Sequence, residues 1–314
     1  MLREQALFLL SLFLLALITG HFLATGPTTE SNSSDVMTDI AEDLYVLPPQ
    51  PVPSLFVHTR KIGVFLLGTG DYLAMVQNLV ASMETHFCSD RRAQVHYFIF
   101  TDSLAEEEVG ETLVTTAGAA AGRSYSQIFQ EQLGWPQDTL LRYEMLLSHM
   151  QEGNYSSFDF LYWIDADSKF VGPVCEDVMG DLVGVTHPHY PQGGPKSHPY
   201  EDNSTSTAFV PQEAAKGQPY FVGAFWGGSS SQIIQLLTVC DANIQKDFRE
   251  MNGYIAKVHD ESHLNRYFFD HRPTILTPGY YYTPEDEERF PWLLRYQPKI
   301  VGVRKNSAEI RARK

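Results

Sequence analysis

Two carboxylates stand one residue apart directly after an apolar run. Asp165 and Asp167 flank Ala166 and follow Phe160–Ile164, whose length and composition predict a buried strand. Ligands of nucleotide-binding sheets bind at the carboxyl ends of the strands, which is where this pair would lie. Carboxylate oxygens suit Mn²⁺ or Mg²⁺, and a cation held in this way can bind a diphosphate. Because an isolated Asp-x-Asp pattern is often a solvated turn, the rest of the chain must support this interpretation.

A second group of reactive side chains lies at residues 259–265. On a helix, Glu261 and Asn265 would share one face, and so would Asp260 and His263. The segment lacks the His-Glu-x-x-His spacing of zinc proteases, which argues against zinc. Such a helix is often a solvated surface. Beside a nucleotide-sugar site, however, its carboxylate could serve as a nucleophile or stabilise charge at an anomeric carbon.

Apolar runs alternate with helical patterns from residue 61 onward, which predicts an α/β domain with helices on both faces of a sheet. The predicted strands are 62–67, 95–100, 160–164, 182–186, 220–226, 274–276 and 299–303. The predicted helices are 71–86, 139–150, 260–269 and one that follows Ser229 to about Cys240. Leu73 replaces the third glycine of a dinucleotide fingerprint after the first strand, so we expect no dinucleotide site. Phe65, Leu66 and Tyr72 would face a nucleotide or belong to the core.

Composition limits the classes of function. The chain of 314 residues has a formal net charge of −15, which argues against nucleic acid as a partner. An anionic substrate would therefore need a metal or a few placed basic residues. The three cysteines, Cys88, Cys175 and Cys240, allow one disulfide, but three buried thiols are the favoured expectation.

The N-terminal region predicts a membrane anchor. Residues 6–24 are almost wholly apolar and just long enough to span a bilayer, with residues 1–5 as a cytoplasmic tail. A cleaved signal peptide is the competing interpretation. Residues 25–60 are polar and Pro-rich and predict a stem before a catalytic domain at 61–314. N-glycosylation sequons begin at Asn32, Asn154 and Asn203, all on the predicted luminal side.

From about residue 61 to residue 311 the chain resembles glycosyltransferase family 6, which contains the histo-blood-group ABO transferases, the α1,3-galactosyltransferase and the Forssman synthase. The resemblance is collinear, and the block at 259–265 together with Asp-x-Asp at this distance makes it specific. Its motifs are Gly68-Thr69-Gly70, Arg142-Tyr143-Glu144-Met145, Asp165-Ala166-Asp167, His187-Pro188, Gly223-Ala224-Phe225-Trp226-Gly227-Gly228, residues 259–265 and Lys305-Asn306.

The resemblance implies a fold, a reaction and a location. The fold would be GT-A, a single Rossmann-like nucleotide-binding domain with a mixed sheet. The enzyme would be a Golgi type II membrane protein with a luminal catalytic domain. It would transfer galactose or N-acetylgalactosamine from UDP, with retention, to the 3-position of a terminal β-galactoside-type acceptor on a glycolipid or glycoprotein. Galactose is slightly favoured, because Ala224 leaves less room than glycine for an N-acetyl group.

The resemblance also implies a role for individual residues. Asp165 and Asp167 would hold Mn²⁺, or Mg²⁺, and Glu261 would be the nucleophile or cation stabiliser. His187 and Glu261 would contact the acceptor. The residues implied at the UDP-sugar are Phe65, Leu67, Tyr72, Arg142, Asp165, Ala166, Asp167, Val222, Ala224, Asp260, Lys305 and Arg311.

Several positions depart from the family pattern, and they cluster on the acceptor side. Val258 stands where most relatives have Trp, Thr283 replaces an acidic acceptor contact, and His189 replaces a small residue. The metal-binding and catalytic carboxylates are retained, which favours a working enzyme with an altered acceptor. The alternatives are a membrane-anchored carbohydrate-binding relative without turnover and a metal-dependent phosphohydrolase.

Overall fold

Seven strands form the central sheet of the computed structural model, which describes residues 59–89, 93–103, 122–190 and 198–304. Their order across the sheet is β3-β2-β1-β4-β7-β6-β8. Only β7 runs against its neighbours, so the sheet is mixed, as predicted. The strands are β1 (Arg60–Leu67), β2 (Ala93–Thr101), β3 (Arg123–Phe129), β4 (Phe160–Ile164), β6 (Leu182–Thr186), β7 (Phe221–Ser229) and β8 (Thr274–Leu276).

A second, two-stranded sheet lies where β4 ends. Its strands are β5 (Ser168–Phe170) and β9 (Ile300–Gly302), which pair antiparallel. Ser168 pairs with Gly302, and the Val303 amide donates to the Asp167 carbonyl oxygen at 2.6 Å. The chain therefore passes directly beside the Asp-x-Asp turn shortly before it ends.

Helices cover both faces of the central sheet. Successive residues of β1 point to opposite faces, so Val64 belongs to the core cluster that contains the apolar face of α1, and Phe65 to the cluster that contains residues of α3, α5 and α6. The helices are α1 (Tyr72–His86), α2 (Gln137–Leu140), α3 (Arg142–Glu152), α4 (Gln212–Ala215), α5 (Ser230–Glu250) and α6 (His259–His271). Tyrosine, phenylalanine and tryptophan fill much of the second core, with Trp163 stacked on Trp226 at 6.3 Å between ring centroids.

The sequence-based assignment missed β3, β5 and the short helix α4, and it ended α5 too early. Strand β3 was not predicted, because Ser124, Ser126 and Gln127 interrupt any apolar run; it is an edge strand whose serine hydroxyls hydrogen-bond the His96 ring at 2.8 Å. Helix α5 continues ten residues past Cys240, the predicted end. The polar second half of this helix is fixed to the loop before α4, because buried Asp247 accepts hydrogen bonds from Ser206 and Thr207.

The expectation of three free cysteines is also wrong. Cys88, at the end of α1, and Cys175, before β6, form a disulfide that spans 87 residues. Only Cys240 is a free, buried thiol. Spacing cannot show such a pair, because α1 and the segment after β5 approach each other only once the sheet has formed.

The predicted tail, anchor and most of the stem, at 1–5, 6–24 and 25–60, lie outside the described residues. Among the residues that are described, no helix has the length and apolar character needed to cross a bilayer. The predicted anchor therefore stays a prediction.

Removing the disulfide should destabilise the fold. For the paired change Cys88→Ser and Cys175→Ser we expect the free energy of unfolding to fall by about 2–4 kcal/mol, because a long loop regains entropy in the unfolded chain. Chemical denaturation measures this change, with Cys240→Ser as the control that leaves the bridge intact. Equal stability of the double variant and the wild type would contradict the structural role of the bridge.

Candidate functional site

A cleft opens at the carboxyl ends of β1 and β4. Six residues that the sequence placed at a donor site line it together: Leu67, Tyr72, Arg142, Asp165, Ala166 and Asp167. The remaining lining residues were not predicted: Thr69, Gln132, Gly134, Trp135, Asp138, Thr139 and Trp163. Sheet topology explains the convergence, because β1 and β4 are parallel neighbours and end at the same edge.

The Asp-x-Asp turn is fixed by bonds from three directions. The Asp165 amide donates to the Ala224 carbonyl on β7 at 2.8 Å, and its Oδ1 accepts the Trp163 indole N–H at 2.7 Å. The Asp167 carbonyl accepts from Val303, as described above. The Asp165 side chain is 28% exposed to solvent, whereas Asp167 as a whole residue is only 6% exposed. The two carboxylates therefore differ in their access to solvent although both line the cleft.

Arg142, the first residue of α3, is a buried cation at the centre of the site. Its guanidinium lies 3.3 Å from Asp165 Oδ1 and 3.3 Å from Asp260 Oδ2. It also donates to the Gly223 carbonyl at 2.9 Å and lies 4.3 Å over the Trp163 ring centroid. One side chain thus joins the Asp-x-Asp turn, strand β7 and the start of α6.

Glu261 lies on the other side of the same β7 segment. Its Oε2 accepts the Gly223 amide N–H at 2.6 Å, so Gly223 contacts Glu261 through its nitrogen and Arg142 through its oxygen. A β-carbon at position 223 would lie 3.3 Å from this carboxylate oxygen, which explains the glycine. Burial raises the pKa of Glu261 to about 7, and the Gly223 hydrogen bond opposes that rise.

Asp260 precedes Glu261 and is buried too. Burial raises the pKa of Asp260 to about 6, while the Arg142 guanidinium lowers it. Asn265, one turn along α6 from Glu261, exchanges two hydrogen bonds with the Phe221 backbone, each 2.8 Å long. This amide pair locks α6 against β7 in one register, so the predicted shared face of Glu261 and Asn265 is turned towards that strand.

His187 follows β6 on the side of the site towards β8. Burial and the neighbouring His189 lower the pKa of His187 to about 3, so its imidazole is neutral. Its Nδ1 accepts the His189 amide N–H at 3.1 Å, which assigns the proton to Nε2. His187 therefore offers one N–H donor, and the rings of Tyr190 and Tyr220 lie 4.8 and 6.0 Å from it.

Other predicted site residues lie outside this cleft. Phe65 is fully buried in the aromatic core and does not line it. Val222 and Ala224 are buried and flank Gly223, the residue that contacts both Arg142 and Glu261. Lys305 and Arg311 lie outside the described residues, as does the sequon at Asn32. Asn154 is exposed and Asn203 partly exposed on loops.

Two aromatic residues at the site were missed by the sequence interpretation. Trp163 lies in the apolar sequence of β4, and its type alone indicates a core residue. Its spacing of two residues from Asp165 is the signal that the two side chains point to the same side of the sheet. Trp135 lies in the loop before α2, is 47% exposed and lines the cleft. Its ring contacts His259 edge-on, with centroids 5.0 Å apart.

The carboxylate ligands at the turn fit a hard divalent cation that prefers oxygen ligands and is also coordinated by a substrate. Within the described ranges, no three or more His, Cys, Asp or Glu residues are grouped to hold a metal by themselves. Asp165 and Asp167 supply carboxylate oxygens only, from one side of the cleft. Mg²⁺ and similar cations are commonly bound by one or two carboxylates plus substrate phosphates, and this arrangement fits that pattern.

Comparison with known proteins gives the same family as the motifs. The profile of glycosyltransferase family 6 matches residues 54–312. A Gallus gallus globoside α-1,3-N-acetylgalactosaminyltransferase 1 is 30% identical, over 80% of this chain and 69% of that protein. The Homo sapiens protein of that name is 32% identical over 73% of this chain and 64% of its own length. Rattus norvegicus histo-blood group ABO system transferase 2 is 28% identical over 88% of this chain and 83% of that protein.

The matched part thus spans about two thirds of the globoside relatives. All three relatives are named as transferases, so nothing here favours the alternative of a carbohydrate-binding protein without turnover. The resemblance that the motifs indicated is confirmed.

Arg142→Met should remove the cation that joins the parts of the site. Asp165 and Asp260 would lose their shared partner, and breaking a buried ion pair from one side commonly costs about 3–5 kcal/mol. We expect a fall of roughly that size in the free energy of unfolding, measured by chemical denaturation. Arg142→Lys keeps the charge and should lose less. A methionine variant as stable as the wild type would contradict the bridging role.

Proposed function

Because the chain belongs to glycosyltransferase family 6, we propose that it is a metal-dependent, retaining α1,3-glycosyltransferase. It moves galactose or N-acetylgalactosamine from a UDP-sugar to a terminal β-galactoside-type acceptor on a glycolipid or glycoprotein. One observation carries the proposal: Arg142 and Gly223 join the Asp165 turn to Glu261, so a diphosphate-binding group and a carboxylate for the anomeric carbon belong to one site.

The donor binds in the cleft. Leu67 and Tyr72 lie at its β1 end and suit the uridine, while Asp165 and Asp167 lie at the β4 end and suit the diphosphate. Mn²⁺, or Mg²⁺, would be held by these two carboxylates and would spread the negative charge of the departing diphosphate. Arg142 keeps Asp165 oriented and lies within reach of the transferred sugar.

The basic residues that follow β9 in the sequence would supply positive charge to the same place. Lys305 and Arg311 are outside the described residues, but Val303 is bonded to the Asp167 carbonyl, only two residues before Lys305. Basic side chains entering here would neutralise phosphate charge and exclude water from the reacting sugar. This role of the tail is part of the proposal.

Glu261 acts at the anomeric carbon. The bond from this carbon to the UDP oxygen breaks, and a bond to the acceptor oxygen forms on the same face, releasing UDP and a proton. A carboxylate on the opposite face can either form a covalent intermediate or stabilise the developing cation. The hydrogen bond from Gly223 fixes Glu261 for either route.

The acceptor binds on the His187 side. The Nε2–H group of neutral His187 donates a hydrogen bond to a sugar hydroxyl oxygen, and Glu261 lies next to the acceptor. His189 and Thr283, two of the positions that depart from the family pattern, lie near this side, and the His189 ring is paired with Asp286 at 2.7 Å. We propose that these changes alter the acceptor and leave the chemistry intact.

The same proposal includes the cellular setting. Residues 6–24 would anchor a type II protein in the Golgi membrane with its catalytic domain in the lumen. The Cys88–Cys175 disulfide supports an oxidising compartment, since such bonds persist there and are rare in the cytosol. Asn154, which is exposed, would be available for glycosylation there.

Changing the metal-binding pair tests the proposal directly. We expect Asp165→Asn and Asp167→Asn each to reduce Mn²⁺-dependent UDP release by more than about 100-fold, since even outer partners of metal ligands contribute roughly 10–100-fold. The assay uses UDP-galactose and UDP-N-acetylgalactosamine with a panel of β-galactosides. Asp181→Asn, at an exposed carboxylate, is the matched control. Unchanged turnover in both variants would refute the proposed metal site.

Glu261→Gln tests the catalytic carboxylate separately from binding. The amide keeps the shape and the Gly223 contact but cannot carry negative charge, so kcat should fall by about 100-fold or more while donor affinity stays near that of the wild type. Steady-state kinetics and donor titration give the two values, with exposed Glu213→Gln as control. Normal kcat in the Glu261 variant would exclude the assigned role.

A further inference from the structure

Three consecutive tyrosines follow β8, and two of their hydroxyl groups have structural partners. The Tyr280 hydroxyl hydrogen-bonds the Asp177 carboxylate and accepts from Lys299 Nζ at 3.1 Å. The Tyr282 hydroxyl donates to Glu287 Oε1 at 2.8 Å. The Tyr280 contacts join this segment to the rest of the fold, whereas the Tyr282 contact is internal to residues 278–287. The hydroxyl of Tyr281, between them, hydrogen-bonds no residue that the structure describes.

The Tyr281 hydroxyl lies against β9. A β-carbon on Gly302 would lie 3.2 Å from the Tyr281 Cζ and 3.3 Å from its hydroxyl oxygen, so the ring occupies the space that any side chain there would need. Gly302 pairs with Ser168, which directly follows Asp167. The next residue, Val303, donates to the Asp167 carbonyl. The geometry thus brings a phenolic hydroxyl to the edge of the Asp-x-Asp turn.

The electrostatic surroundings of Tyr281 agree with this position. Burial, and then the negative charges of Asp167, Asp165 and Glu261, raise its pKa well above the ordinary value. A tyrosine phenol is protonated near neutral pH, so its hydroxyl can donate a hydrogen bond. A neutral hydrogen-bond donor suits a diphosphate at this place, because a divalent cation bound with the diphosphate would offset the negative charge of the nearby carboxylates.

We propose that Tyr281 is a further donor-binding residue, whose hydroxyl donates a hydrogen bond to a diphosphate oxygen of the UDP-sugar. The inference rests on the proposed function, in which Asp165 and Asp167 place the diphosphate at this turn. The diphosphate is preferred to the sugar because Tyr281 packs on Gly302, and the next residue, Val303, bonds to the Asp167 carbonyl. No motif pointed to this residue.

Tyr281→Phe removes only the hydroxyl and keeps the ring against Gly302. Hydrogen bonds to charged groups contribute enough that we expect UDP affinity in the presence of Mn²⁺ to fall roughly 10- to 100-fold. The kcat/KM for the UDP-sugar should fall by a similar factor, while the KM for the acceptor stays unchanged. Tyr282→Phe is the matched control, because it removes a neighbouring hydroxyl that serves the fold.

The outcomes separate this inference from the function on which it rests. Selective loss of UDP affinity in Tyr281→Phe, with Tyr282→Phe near the wild type, supports the assignment. Unchanged UDP affinity in Tyr281→Phe, or an equal loss in both variants, overturns it while leaving an active wild-type enzyme. A wild-type protein that neither binds UDP with Mn²⁺ nor turns over a UDP-sugar would overturn both.

Discussion

The buried guanidinium of Arg142 is the interaction on which the arrangement of the site depends. It is held between Asp165, which directly follows β4, and Asp260, the second residue of α6, and it binds the β7 backbone at Gly223. A buried cation with two anionic partners tolerates little displacement, because separation would leave charges without compensation in a poorly solvated interior. The position of the Asp-x-Asp turn relative to Asp260 and Glu261 is fixed in this way.

The antiparallel strand β7 makes that arrangement geometrically available. It lies between β4 and β6, so its backbone at 222–224 meets the Asp-x-Asp turn, while Asn265 fixes α6 to it at Phe221. Gly223 then contacts Arg142 with its carbonyl and Glu261 with its amide. The small β5–β9 sheet adds residues 300–303, and Tyr281 packed against Gly302, to the same edge. Hydrogen bonds thus connect elements that are distant in sequence at one edge of the sheet.

Much of this could be predicted from the sequence, for identifiable reasons. Buried strands such as β1 and β4 are continuous apolar runs, and the carboxylates after β4 marked the ligand-binding edge. Polar elements were not predicted, because they lack an apolar pattern. Strand β3 is an edge strand that contains two serines, and the second half of α5 is attached to the fold through buried Asp247. The Cys88–Cys175 bridge, the burial of Phe65 and the place of Tyr281 depend on long-range contacts, for which local pattern carries no signal.

The central claim is that Asp165 and Asp167 bind the diphosphate of a nucleotide sugar through a divalent cation. Calorimetric titration of UDP into the purified wild-type protein, with Mn²⁺ and then with a chelator, tests it most directly. The structure predicts saturable binding with Mn²⁺ and a large loss of affinity without it. Equal affinity under the two conditions, or no binding under either, would contradict the account.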